Sequence, residues 1–155
     1  MSITLQFVRE PGIASSAIAW FTEGHYSHVD ALNDGGWCLG ARLHGGVLWR
    51  EPGYAYFVRR TLVRFTATPH QQRAFWTFLD SQVGLPYDSS AIWGFVTGRN
   101  WRDPDAWICS ELQAAALEHS RLFQRLLVPT YKITPAALAI AATAAGGEVV
   151  LDERE

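Results

Sequence analysis

The chain has 155 residues, 48% of them hydrophobic and 18% charged, which is typical of one globular domain spanning 1–155. The formal net charge is −2 and the only lysine is Lys132, so the chain has no basic run. Because nucleic-acid affinity depends largely on neutralising phosphates, we expect no nucleic-acid partner. Two cysteines are too few for a disulfide framework.

The amino terminus has no basic region followed by a long apolar stretch, as a secretory signal would. The alanine-rich segment at 136–145 is too short to span a bilayer. We therefore expect a cytoplasmic protein without an integral membrane segment, or one that is phage-associated or otherwise delivered. The sequence contains no signal for an oligomeric state.

Hydrophobic patterning and turn signals predict a small, mostly antiparallel sheet with one leading helix in the first half of the chain. The turn Asn33-Asp34-Gly35-Gly36 joins two of its strands as a hairpin. The predicted elements are, in chain order, a strand at 3–8, a helix at 13–22, strands at 26–32, 37–43 and 47–50, and one or two strands within 54–65.

The second half of the chain is predicted to be mainly helical. Thr68-Pro69 and Thr134-Pro135 each combine an N-cap residue with a proline at the first helical position. The predicted elements are a helix from 69 that ends before Gly84, a short helix at 89–97, a helix at 108–117, a helix from 135 to 145 and a strand at 148–151. The fold class is therefore α+β, with a small antiparallel sheet packed against helices.

Cys109 stands where the helix at 108–117 begins. The helix dipole and the free N–H groups of the first turn favour a thiolate at this position. Three acidic residues oppose it, namely Asp103, Asp105 and Glu111. An imidazolium in contact with the thiol would outweigh them, so Cys109 is the candidate nucleophile. Cys38 has no comparable neighbours.

His28 is the candidate base. In the strand at 26–32, His28 and Asp30 share one face, and Val29 points to the other face, towards the core. His25 and His44 are weaker candidates because they occupy turn-like positions, where a side chain is less firmly aimed.

Cys38 and the histidines do not match any zinc-binding spacing, and the chain has no C-x₂-C pair. We therefore expect neither a metal site nor a cofactor.

Three short motifs follow one another at wide spacing. They are Tyr26-Ser27-His28-Val29, Gly84-Leu85-Pro86-Tyr87-Asp88 and Ile108-Cys109-Ser110-Glu111-Leu112. Together with Ile133-Thr134-Pro135 at the last helix, they resemble the circularly permuted branch of the NlpC-type papain-like cysteine peptidases. That branch includes YiiX-like proteins and relatives of lecithin:retinol acyltransferase. The resemblance spans nearly the whole chain and implies a permuted papain-like (NlpC-type) fold, with the histidine ahead of the cysteine.

The resemblance also implies a cysteine hydrolase, a peptidase or amidase that acts on a peptide or a small acyl-containing substrate, such as a cell-wall peptide. Cys109 would attack a carbonyl to form a thioester, and His28 would take the thiol proton and return it to the leaving group. The backbone N–H of Cys109 would contribute to an oxyanion hole. Tyr87 would lie beside it or line the substrate groove, for which Tyr26 is a second candidate.

The chain departs from the family pattern at the third catalytic residue. Permuted relatives often carry a glutamate directly before an alanine and a few residues before a Gly-Val pair. Here Ala41 and Gly46-Val47 match that frame, and the acidic place is taken by Gly40. Asp30, His44 or a backbone carbonyl could orient the imidazole instead.

Two alternative functions remain open from the sequence. One is acyl transfer or hydrolysis on a lipid or thioester, which exposed aromatic side chains near the site would suit. The residues concerned are Trp93, Phe95, Trp101 and Trp107. The other is a catalytically silent binding module, which the missing acidic residue at position 40 favours.

Overall fold

The sheet and helices form an α+β architecture. A computed structural model describes residues 1–12, 25–89, 105–124 and 133–154. The elements are β1 (Ser2–Arg9), β2 (His28–Leu32), β3 (Cys38–Arg42), β4 (Gly46–Arg50), β5 (Arg59–Thr66), α1 (Pro69–Ser81), α2 (Cys109–His119), α3 (Pro135–Ala144) and β6 (Glu148–Arg154). The six strands form one antiparallel sheet in the order β4-β3-β2-β1-β5-β6. The predicted α+β class and the small antiparallel sheet are therefore confirmed.

Most predicted elements in the described residues agree with the structure. The first four predicted strands match β1 to β4 to within two residues at each end. Thr68 and Thr134 cap α1 and α3 through their side chains, and a proline follows each of them, as predicted. The predicted helix at 13–22 and nearly all of the one at 89–97 lie outside the described residues.

The prediction of strand structure from residue 54 onward was wrong for residues 54–58. Strand β5 begins only at Arg59. The N–H of Tyr54 donates to the carbonyl of Glu51 at 3.2 Å, which closes a tight turn. From this turn, the Tyr54 hydroxyl donates a hydrogen bond to Asp30, and the Tyr54 backbone is not part of a strand. Aromatic content alone does not distinguish such a segment from a strand.

The two faces of the sheet differ in chemistry. Alternate residues of β1 and β2, such as Leu5, Phe7 and Val29, join the hydrophobic core. All three helices contribute to the same core, for example through Phe75, Leu112 and Leu138. His28 and Asp30 alternate with these residues along β2 and do not belong to the hydrophobic cluster.

In the part of the chain that the structure describes, the helices are too short or too polar for any of them to traverse a bilayer.

Candidate active site

Helix α2 places Cys109 at its first residue, and polar contacts fix the start of this helix. The Ser110 hydroxyl donates to the Ile133 carbonyl at 2.7 Å, and the Gln113 amide donates to the Leu39 carbonyl at 2.9 Å. These bonds connect α2 to the segment before α3 and to β3. Ile108 occupies the N-cap and offers no side-chain acceptor. The positive end of the helix dipole therefore lies at the Cys109 thiol.

The residues just before Cys109 are held by the Gly-Leu-Pro-Tyr segment. The N–H of Trp107 donates to the Pro86 carbonyl at 3.0 Å, and the N–H of Asp88 donates to the Trp107 carbonyl at 3.1 Å. Tyr87 is thus bridged in parallel to Trp107, two residues before the thiol. Burial and the nearby charge of Cys109 raise the pKa of Tyr87, so its hydroxyl remains a donor at neutral pH.

His28 lies between Asp30 and Cys109. Its Nε2 is 2.8 Å from Asp30 Oδ1, and the Cys109 thiol lies close enough to the ring to raise the pKa of His28. Because Nε2 serves Asp30, Nδ1 is the ring nitrogen that remains for the thiol. Burial lowers the pKa of His28, but the charges of Asp30 and Cys109 and their hydrogen bonds outweigh burial and raise it to about 9. The imidazolium is therefore the prevailing form at neutral pH.

Asp30 is the carboxylate partner of this imidazolium. Its side chain is fully buried, and each of its oxygens has a partner. Oδ1 faces His28, and Oδ2 accepts a bond of 2.5 Å from the Tyr54 hydroxyl. Burial raises the pKa of Asp30, but the charge and bond of His28 and the bond from Tyr54 together lower it. Asp30 and His28 are therefore both charged at neutral pH.

Arg42 and Glu10 complete this polar group of side chains. Arg42 pairs with Glu10, and its guanidinium lies 4.7 Å from the centre of the Tyr54 ring. The Arg42 Nε lies 3.3 Å from His28 Nε2. Because Nε2 carries its proton toward Asp30, this approach is a contact between two cations, which Asp30 and Glu10 together neutralise. Tyr54, Arg42 and Glu10 belong to none of the sequence motifs. Their contacts with the site become visible only in the folded structure.

The other candidate residues lie in different places. His44 is exposed in the turn between β3 and β4, and Arg50 binds its backbone carbonyl. His25 is also exposed. The Tyr26 hydroxyl bonds Thr61 at 2.8 Å, and its ring packs on the core residue Phe7. Asp30 is therefore the candidate that contacts His28, and Tyr87 is the tyrosine that lies beside Cys109.

Among the aromatic residues considered for an apolar groove, Trp107 is described. Its indole donates to Gln82 at 3.0 Å, and its ring meets Phe78 edge-on. These contacts are those of ordinary packing. Trp93, Phe95 and Trp101 lie outside the described residues.

Cys38 occupies a different chemical environment from Cys109. It is buried at the start of β3, where the Gln6 amide points at its sulfur from 3.6 Å. Burial and the charge of Asp30 raise the pKa of Cys38 to about 12. Its thiol is therefore protonated and unreactive at neutral pH.

The Tyr54 hydroxyl should be measurable as a stabiliser of ionised Asp30. Tyr54→Phe keeps the ring under Arg42 but removes the donor to Oδ2, so the pKa of Asp30 should rise. Asp30 contributes to stability only while ionised, and the variant should therefore lose stability at a higher pH than wild type during acidification. Urea unfolding between pH 3 and pH 6 measures this. Tyr26→Phe, which loses a bond to Thr61 instead, is the matched control; equal acid sensitivity in both variants would contradict the role of Tyr54.

Comparison with known proteins places the fold. No family model matches the chain, and no curated protein matches its sequence. Among solved structures, it is similar to the crystal structure of the metalloprotein yiiX from Escherichia coli O157:H7, DUF1105. The two are 19% identical with a TM-score of 0.66, over 100% of this chain and 98% of that chain. At this identity the likeness shows a YiiX-like α+β fold, and function has to be argued from the site.

The neighbour is described as a metalloprotein, which makes the arrangement of metal-ligating side chains in this chain relevant. Within residues 1–12, 25–89, 105–124 and 133–154, no group of three or more His, Cys, Asp and Glu side chains is arranged to share an ion. The imidazole and carboxylate of His28 and Asp30 instead bind each other. These described residues do not fit a metal centre.

Proposed function

We propose that this chain is a cysteine hydrolase of the peptidase or amidase type, with residues 1–155 forming one permuted papain-like domain. The observation that carries the proposal is a buried imidazole placed between a carboxylate and a thiol, His28 between Asp30 and Cys109. A thiol, a base and a residue that orients the base are the parts required for nucleophilic catalysis by cysteine.

The reaction would begin with the Cys109 thiolate, whose proton resides on His28. Attack on a substrate carbonyl forms a carbon–sulfur bond and moves the carbonyl electron pair onto oxygen. The N–H of Cys109 and the Tyr87 hydroxyl would be the donors to this oxyanion. Collapse of the intermediate breaks the carbon–nitrogen bond, and the amine leaves with the proton from His28. A thioester on Cys109 remains.

Hydrolysis of the thioester would restore the enzyme. His28, now neutral, removes a proton from water as the water attacks the thioester carbonyl. The carbon–sulfur bond breaks, the acid product leaves, and the proton on His28 re-forms the ion pair with the thiolate. Asp30 would hold the ring orientation through both halves of the cycle and stabilise its charged form.

The protonation state of His28 favours amides as substrates. An amine leaves only after it has received a proton, whereas a thiolate or an activated alkoxide leaves without one. Since the pKa of His28 is about 9, the proton donor is present throughout the neutral range. A protonated His28 therefore suits an amide better than a thioester, whose leaving group needs no proton.

The test is to trap the acyl-enzyme. The protein is mixed with a panel of peptide amides, cell-wall peptides and acyl esters, and its intact mass is followed in rapid-quench samples. We expect an acyl adduct on Cys109 from the amide substrates, formed equally in Cys38→Ala. Adducts from esters alone would point to acyl transfer, and the absence of any adduct on Cys109 would overturn the proposal.

A further inference from the structure

Gly40 lies on β3 directly beside the Asp30 carboxylate. A Cβ atom built on Gly40 would lie 2.0 Å from Asp30 Oδ1 and 3.1 Å from Asp30 Cγ. Both positions are buried. Nonbonded carbon and oxygen atoms do not approach to 2.0 Å, so a side chain at position 40 and the present Asp30 carboxylate exclude each other.

The backbone does not explain why position 40 carries a glycine. Gly40 is not among the described glycines with positive φ, so its conformation is open to any residue. It also lies within a regular strand, where glycine is unfavourable because it adds no packing. The reason for glycine at position 40 is therefore the space that the absence of a side chain leaves.

We propose that Gly40 is a positioning residue of the site: the space it leaves holds the Asp30 carboxylate in the orientation that binds and aims His28. A role of Gly40 in catalysis rests on the proposed function, whereas the effect of Gly40 on Asp30 and His28 does not. A carboxylate on β3 and one on β2 are alternative ways to fill the same volume beside the imidazole. In this chain the carboxylate comes from Asp30 on β2. The acidic residue that the family resemblance implies at position 40 would displace it.

The test is a double-mutant cycle with Gly40→Ala and Asp30→Ala. The readout is the pKa of His28, followed by NMR of its ring protons, since a general loss of packing would not move it. The groups that face His28 are Asp30 from β2, Arg42 from β3, Cys109 from α2 and, beyond them, Glu10. Of these, Asp30 is the group whose atoms lie nearest to the added methyl group. Gly35→Ala, in an exposed turn and without positive φ, is the control for stiffening the chain.

We expect Gly40→Ala to lower the pKa of His28 from about 9 by about 1 or more, as the loss of an adjacent opposite charge does. In the Asp30→Ala background the same substitution should change neither this pKa nor the urea midpoint, because the oxygen in its way is gone. Asp30→Ala removes that clash even if Gly40→Ala alone folds poorly. An unchanged pKa in Gly40→Ala, or an equal fall in both backgrounds, would overturn the proposal.

The same variants separate this inference from the proposed function. A wild-type protein that forms no acyl-enzyme, but whose His28 responds to Gly40→Ala as expected, would support the role of Gly40 and refute the hydrolase. An acyl-enzyme that forms with equal rates in wild type and Gly40→Ala would support the hydrolase and refute the positioning role.

Discussion

Turnover of an acyl substrate should disappear when Cys109 or His28 is replaced by alanine. Removing either member of a nucleophile–base pair costs on the order of 10⁴-fold or more in kcat. The two losses should not add, since each variant already lacks the pair that acts as a unit. Steady-state rates for the two single variants and the double variant, on whichever panel substrate acylates Cys109, measure this.

Two controls define this prediction. Cys38→Ala should keep full activity, because the Cys38 thiol stays protonated at neutral pH. His44→Ala should also keep it, because that residue is exposed in a turn away from the Asp30–His28 contact. Full activity in His28→Ala, or loss of activity in Cys38→Ala, would show that the base or the thiol is a different residue.

The second large effect is expected on stability, from Asp30→Asn. This change leaves His28 buried without its counter-charge, and breaking a buried pair from one side costs about 3 kcal/mol or more. The loss should be visible as a lower urea midpoint at pH 6. Asp34→Asn, in the exposed turn between β2 and β3, should be close to neutral.

The pH dependence of that stability difference provides the diagnostic. His28 has its pKa raised from 6.5 to about 9, so its contribution is complete below about pH 6.5 and is lost as pH rises through 9. Asp30 has its pKa lowered from 3.8, so its contribution is complete above about pH 4 and is lost as pH falls further. The difference between wild type and Asp30→Asn should therefore be largest between about pH 4 and pH 6.5. A difference independent of pH would contradict the ion pair.

The sequence predicted the elements well where the signal is local. The Thr-Pro helix starts and the hairpin turn depend on a few adjacent residues, and they predicted α1, α3, β2 and β3, while alternation predicted β1. Strand alternation also placed His28 and Asp30 on one face. The segment at 54–58 failed because its aromatic residues serve a long-range contact, from Tyr54 to Asp30, that no local pattern encodes.

The orienting residue could not be chosen from the sequence for a similar reason. Asp30, His44 and a backbone carbonyl were equivalent as candidates, because the choice depends on space between strands. Only the fold shows that Gly40 leaves room for Asp30 and that Tyr54 binds its second oxygen. The absence of a carboxylate at position 40 suggested a weakened site. In the structure, the space left by Gly40 is occupied by the Asp30 carboxylate.

Cys109 and His28 are proposed to form one reactive pair. The most direct measurement is the pH–rate profile of iodoacetamide alkylation at Cys109, read by peptide mass spectrometry in wild type, His28→Ala and Cys38→Ala. We expect Cys109 to be modified in preference to Cys38 at pH 7, at a rate that falls on the order of tenfold or more in His28→Ala and is unchanged in Cys38→Ala. Equal rates and profiles at Cys109 in wild type and His28→Ala would contradict the pair.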